Sequence, residues 1–157
     1  MRIIENYFDP ILLKLLHEHI LKEPLSYGEF SKSVDDKRFF SLNFDFQDNL
    51  TKYLCMTVAE TLKQQTGFLR VYANIQFKDM HGSFHSDDGD NTVLVMISDT
   101  LDQGDGCFVR GERSVDFVQN RCIIFNAKDD HKGLASTKEE KPRITLVFKT
   151  KKLDGNN

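Results

Sequence analysis

Apolar residues recur at helical spacing in the first third of the chain and change to a period of two from about residue 68. Phe8, Ile11, Leu12, Leu15, Leu16 and Ile20 follow the i, i+3, i+4 rule and predict a helix. Asp9-Pro10 suits its start, as an N-cap followed by proline in the first helical position, and Pro24 stops it. Residues 25–38, with Ser26, Gly28, Ser31 and Ser33, read as loop. Phe40, Leu42, Phe44 and Phe46 alternate as in a strand. Leu50, Tyr53, Leu54, Val58 and Leu62 form the stripe of a second helix over 49–65, with Gly67 as its cap. In the next segment Leu69, Val71, Ala73, Ile75 and Phe77 take one face of a strand. Arg70, Tyr72, Asn74 and Gln76 take the other, a face polar enough to line a pocket. Further strands are predicted at about 83–87, 92–98, 106–110, 114–118, 121–126, 131–136 and 142–150, with glycine- and aspartate-rich turns between them. Two helices followed by many short antiparallel strands predict an α+β chain with a sandwich or barrel. The expected organisation is a single domain over 1–157, with helical support over about 1–66 and the β core over 67–150.

Composition narrows the function classes. Of 157 residues, 39% are hydrophobic and 29% charged, which excludes a disordered chain. Lys and Arg number 21 against 24 Asp and Glu, so the basic footprint of a nucleic-acid binder is missing. The basic cluster Lys149-Thr150-Lys151-Lys152 reads as a solvated end. No apolar run approaches the ~20 residues of a membrane span. Met1 to Pro10 lacks the apolar stretch of a secretory signal. Cys55, Cys107 and Cys122 are odd in number and form no Cys-x-x-Cys, so a reducing, cytoplasmic setting is expected. Cys122, before Ile123-Ile124-Phe125, reads as a small buried hydrophobe.

The chemistry concentrates in His81 to Asp90, HGSFHSDDGD. In a strand, His85 and Asp87 point to the same side and reach one metal ion. His131 follows with 43 residues between it and Asp87, at the start of a predicted strand. Two histidines and a carboxylate on one face of a metal make the triad of non-haem Fe(II) oxygenases, and they leave positions open for co-substrate and dioxygen. A closed zinc site would need a fourth ligand, and none stands at suitable spacing. Arg143 follows with eleven residues between it and His131, on a strand expected to pair with the one that begins at His131. Thr145 shares its face. An inward guanidinium holds a carboxylate as a bidentate fork and is costly without one. His17, His19 and His81 read as surface or structural histidines. Asp88 and Asp90 read as turn residues, and Asp129 and Asp130 as solvent-facing. Arg110 and Arg113 flank a hairpin tip near the expected mouth.

His85, Asp87, His131 and Arg143, in this order and spacing, resemble the pattern of the Fe(II)- and 2-oxoglutarate-dependent dioxygenases, over Leu69 to Lys149. Within that superfamily RVYANIQF, GSFHSDDGDNTVLVM and CIIFNA are similar to the compact prolyl-4-hydroxylase-like members of bacteria and phages. Gly104-Asp105-Gly106-Cys107-Phe108 matches the family's Gly-Gly-x-x-x-Phe segment only in part, and Arg143 stands where the animal prolyl hydroxylases have Lys. The resemblance implies a double-stranded β-helix (jelly-roll) core flanked by the two N-terminal helices. It implies Fe(II) on His85, Asp87 and His131, and 2-oxoglutarate with its distal carboxylate on Arg143, with Thr145 and Tyr72 as further donors. It also implies dioxygen as oxidant, with 2-oxoglutarate leaving as succinate and carbon dioxide and the substrate hydroxylated. A prolyl peptide, another protein or a small molecule is the expected substrate. Loops 25–38 and 99–105, which would read it, carry no transferable signature. Two rivals are a nucleic-acid demethylase of the same superfamily and a non-oxidative cupin-type metal-binding protein. The first lacks a basic stripe, and the second lacks its His-x-His outside the helical His17-Glu18-His19.

Overall fold

Two stretches of alternating side chains, in β4 (Thr66–Gln76) and β10 (Arg143–Lys152), pair antiparallel at the centre of a seven-stranded sheet. The computed structural model describes residues 1–32 and 37–153. Around the central pair stand β1 (Arg2–Ile4), β2 (Ser26–Glu29), β3 (Phe39–Asn43), β5 (Asn91–Met96) and β8 (Cys122–Asn126), in the order β1-β8-β5-β10-β4-β3-β2. A second sheet has the order β7-β6-β9, from β6 (Phe108–Arg110), β7 (Arg113–Val115) and β9 (His131–Gly133). This is the α+β jelly-roll arrangement that the sequence predicts, with α1 (Pro10–Lys22) and α2 (Asn49–Leu62) on one side.

The period of two decides what each face of the large sheet meets. Val71, Ala73 and Ile75 of β4, Val93 and Val95 of β5, and Ile144, Leu146 and Phe148 of β10 pack in one core with Leu16, Ile20, Leu54 and Val58 of the helices. The alternate residues Tyr72, Leu94, Met96, Ile123, Phe125 and Val147 pack against Phe108, Val115 and Phe117 from the small-sheet side. Each fully buried side chain of this size contributes about 1.5–3 kcal/mol through burial. The second face is only partly filled with apolar groups. Its polar members, Arg143, Thr145 and Gln76, are buried all the same.

Several expectations are corrected. Segment 25–38 is not all loop, since Ser26–Glu29 forms β2; residues 33–36, including Ser33, lie outside the described residues. Strands β1 to β3 come from the first 66 residues and belong to the large sheet, so that part of the chain is more than helical support. α1 buries Leu13, Leu16 and Ile20 and leaves Ile11 and Leu15 exposed. Tyr53 of α2 is exposed too. α2 ends at Lys63 in the left-handed region, φ 53°, while Gly67 lies inside β4. Leu69 and Phe77, at the ends of the apolar face of β4, are exposed. The expected strand at 83–87 is reduced to one bridge between His85 and His131. β10 does not pair with β9. It pairs with β4 and β5, because residues 134–142 carry the chain from the small sheet to the large one. Among the described residues no helix is long and apolar enough to cross a membrane.

Candidate metal and anion site

A cleft of about 130 Å³ opens between the sheets. Its floor is the polar face of the central strands, set in register: Gln76 opposite Arg143, Asn74 opposite Thr145, Tyr72 opposite Val147 and Arg70 opposite Lys149. Its wall carries His85, Asp87, Phe108, His131 and Gly133.

His85 and His131 hold each other through their backbones, with N–H···O distances of 3.0 and 2.9 Å in the two directions. Their rings lie side by side, centroids 4.4 Å apart, with His131 further packed on Phe108 and Phe125. Each ring directs Nδ1 at a backbone carbonyl two residues earlier, at 2.9 Å for Ser83 and 2.8 Å for Asp129. A neutral imidazole that donates from Nδ1 leaves the Nε2 lone pair bare, the state a metal ligand needs. Both Nε2 atoms face the carboxylate of Asp87, at 3.8 Å from Oδ1 for His85 and 3.4 Å from Oδ2 for His131. Three ligand atoms thus lie within 4.8 Å of one another. Bare lone pairs facing a carboxylate repel it unless a proton or a cation stands between them. The donor set therefore fits a metal ion.

Thr92 donates its hydroxyl to Asp87 Oδ2 at 2.7 Å, and the Lys149 ammonium lies 3.0 Å from Oδ1. Burial acts to raise the Asp87 carboxyl, but the adjoining His131 ring, the Thr92 hydroxyl and the charge of Lys149 outweigh it and hold the group below the usual carboxylate range. Burial lowers His85, against the opposing Ser83 carbonyl, and so favours the neutral ring. Asp129, expected to face solvent, is held by Arg110, with Oδ2 at 2.6 Å from Nη2 and 2.7 Å from Nε. That pair steadies the backbone whose carbonyl orients His131. Arg110 and Arg113 line a separate hollow with Glu112 and Asp130. His81 accepts the Ala135 amide at 3.0 Å, a structural bond.

At the other end of the floor Arg143 is 2% exposed. Its Nε donates to Gly106 O at 2.9 Å and its Nη1 to Gln76 Oε1 at 2.6 Å. Nη2 has no hydrogen-bond partner among the described residues, and neither has the buried hydroxyl of Thr145. No carboxylate forms an ion pair with Arg143 among the described residues. Burial accordingly pulls its pKa down to about 10, still well above neutrality, so the cation stays charged and unanswered. Tyr72 lies under the Arg70 guanidinium, 4.2 Å from the ring centroid, and burial together with the Asp87 charge raises its phenol.

The sequence reading missed three members of this cleft, Thr92, Lys149 and Gly133, and the role of a fourth, Gln76, which it placed on the pocket-lining face. Gln76 orients Arg143, Thr92 and Lys149 hold Asp87, and Gly133 makes room for the guanidinium. Lys149 and the buried Thr150 are not part of a solvated end. A Cβ on Gly133 would stand 2.7 Å from Arg143 Nη1 and 2.8 Å from its Cζ. Gly133→Ala is expected to push the guanidinium off its bonds and to weaken binding of a carboxylate ligand at least about 10-fold, the effect of losing one charge-assisted bond. Calorimetric titration with 2-oxoglutarate checks this, alongside a melting curve that stays within a few degrees of the parent.

No family model and no curated protein matches the chain. Among solved structures it is similar to the viral collagen prolyl hydroxylase of Paramecium bursaria chlorella virus-1 in its 2-oxoglutarate complex. The TM-score is 0.77 at 13% identity, over 97% of this chain and 96% of that one. It is also similar to a prolyl hydroxylase of Trichoplax adhaerens in complex with a hypoxia-inducible-factor peptide, with TM-score 0.72, 15% identity and 94% and 82% covered. The α-ketoglutarate-dependent epimerase SnoN of nogalamycin biosynthesis aligns with TM-score 0.70 at 10% identity, over 96% and 75%. The chain has the fold of the 2-oxoglutarate-dependent oxygenases. That fold serves hydroxylation in two of these proteins and epimerisation in the third, so the chemistry of this chain lies in its own cleft and not in the fold.

Proposed function

We propose that this chain is an Fe(II)- and 2-oxoglutarate-dependent dioxygenase that hydroxylates a peptide, protein or small-molecule substrate, with a prolyl residue as the leading target. The observation that carries this reading is the buried Arg143 cation with a free Nη2, beside the free Thr145 hydroxyl, in the same cleft as His85, Asp87 and His131. A metal triad alone would also suit a cupin-type binder. A desolvated cation awaiting an anion, on the same floor, suits a metal that works with a dicarboxylate co-substrate.

His85 and His131 would hold Fe(II) through Nε2 and Asp87 through one carboxylate oxygen. Arg143 would take the distal carboxylate of 2-oxoglutarate, with Thr145 donating a hydroxyl and Tyr72 a phenol. When bound, Fe(II), 2-oxoglutarate and dioxygen supply the oxidation that turns a substrate C–H into C–OH and leaves succinate and carbon dioxide. The chain's own part is positioning. Gln76 and Gly106 fix the guanidinium, Thr92 fixes the carboxylate ligand, and Phe108 and Phe125 hold His131 in place. Leu94, Phe108 and Val147 supply the apolar part of the cleft lining.

The test is anaerobic addition of Fe(II) and 2-oxoglutarate to the purified protein. A visible metal-to-ligand charge-transfer band is expected, and succinate is expected once oxygen is admitted. Bound metal with no band would refute the reading in favour of the cupin-type binder.

A further inference from the structure

The metal end of the cleft holds more positive charge than the proposed chemistry uses. Lys149 and Arg70 stand directly opposite each other on β10 and β4, both lining the cleft. Like charges in facing positions destabilise a sheet unless anions lie beside them. Here each cation has one. Arg70 Nη2 is 2.9 Å from Glu29 Oε1, while its Nε donates to Asn43. Lys149 Nζ is 3.0 Å from Asp87 Oδ1. Only the Glu29 pair is independent of the metal, because Asp87 would give its charge to Fe(II). In the loaded site Arg143 would be answered by the distal carboxylate of 2-oxoglutarate. The metal would be answered by Asp87 and the co-substrate's other carboxylate. Among the described residues lining the cleft, Lys149 is the cation left over, facing Arg70 on one side and the metal on the other.

We propose that the substrate carries a carboxylate, and that the Lys149 ammonium holds it beside the metal. This deepens the oxygenase reading and rests on it. The Lys149 side chain is only 18% exposed, so its charge is poorly hydrated and an anion there gains more than it would at the surface. The position also sets the reaction. A carboxylate on Nζ lies next to the ligand Asp87, so the oxidised carbon is within a few bonds of that carboxylate. The substrate class is then a free amino or imino acid, a peptide's C-terminal residue, or a residue flanked by an acidic side chain.

The experiment loads the full chain with Fe(II) and 2-oxoglutarate without oxygen. It is then titrated with N-acetyl-L-proline and N-acetyl-L-prolinamide, and with the same acid and amide of leucine, while the charge-transfer band is followed. Each acid is expected to perturb the band at a concentration at least 10-fold below its amide. Lys149→Gln is expected to erase that preference and Lys149→Arg to keep it. Equal action of acid and amide, no perturbation by any acid, or a preference that survives Lys149→Gln would overturn the proposal. So would a 10-fold rise in the 2-oxoglutarate needed by Lys149→Gln to form the band, which would assign the ammonium to the co-substrate. Absence of the band from the parent protein would refute the oxygenase reading itself, so the two failures are distinguishable.

Discussion

His131→Gln is expected to leave a folded protein that no longer retains Fe(II) and no longer consumes 2-oxoglutarate. Glutamine keeps the size and polarity of the buried ring, so the pocket between Phe108 and Phe125 is not emptied. The backbone bonds to His85 are untouched by the change, because both run through main-chain atoms. The imidazole Nε2 facing Asp87 at 3.4 Å is lost, and with it one of three ligands. Losing an outer partner of a metal ligand costs roughly 10–100-fold in affinity, and losing the ligand itself exceeds that. The expected loss is therefore more than 100-fold in Fe(II) affinity, with a melting temperature within a few degrees of the metal-free parent. Anaerobic titration with metal analysis after desalting measures it. A variant that kept its iron and its turnover would remove His131 from the ligand set.

The cluster of His85, Asp87 and His131 was legible because the chemistry and spacing of such a triad are rigid. A carboxylate two residues after a histidine is easily seen, and the distal His-to-Arg interval survives any detail of the loops. The period of two also placed Tyr72, Asn74 and Gln76 on one face correctly. The same parity, continued along β10 from Arg143 through Thr145 and Val147, reaches Lys149. That signal was present but was masked by the neighbouring lysines, which made 149–152 look like a charged end. The pairing of β10 was not legible, because adjacency in sequence favours β9 and nothing local says that the connection crosses between sheets. Crossing is what places Gly133 against the Arg143 guanidinium instead of beside its backbone. The phase of α1 was equally hidden. Apolar residues occupy 11, 12, 13, 15, 16, 20 and 21, nearly all round the helix, and only docking on the sheet selects Leu13, Leu16 and Ile20. β1 is three residues long and too short for any periodicity to declare it.

Arg143 should be the second position of large effect, and the result should show in the choice of co-substrate before it shows in the rate. Two oxo acids of equal length separate its role: 2-oxoglutarate, and 2-oxopentanoate, which has a methyl where the distal carboxylate would be. Charge-assisted hydrogen bonds contribute about 1.5–3 kcal/mol each, so a guanidinium and a threonine hydroxyl on one carboxylate are worth at least about 3 kcal/mol, or a preference of about 100-fold. The parent protein should show that preference in the concentration of oxo acid needed for the charge-transfer band. Arg143→Met should reduce it to within about 10-fold. Arg143→Lys should fall between the two, since a point charge cannot reproduce a planar fork held by Gly106 and Gln76. Stability moves as well. Methionine leaves the Gln76 and Gly106 oxygens without their donor in a buried place, at about 1–3 kcal/mol each, partly offset by removal of an unpaired buried cation. The preference between the two oxo acids is a ratio within one protein and cancels any loss of folded fraction. If Arg143→Met still preferred 2-oxoglutarate 100-fold, the distal carboxylate would have to sit elsewhere, with Lys149 the next candidate because Arg70, the further cation lining the cleft, is already paired with Glu29.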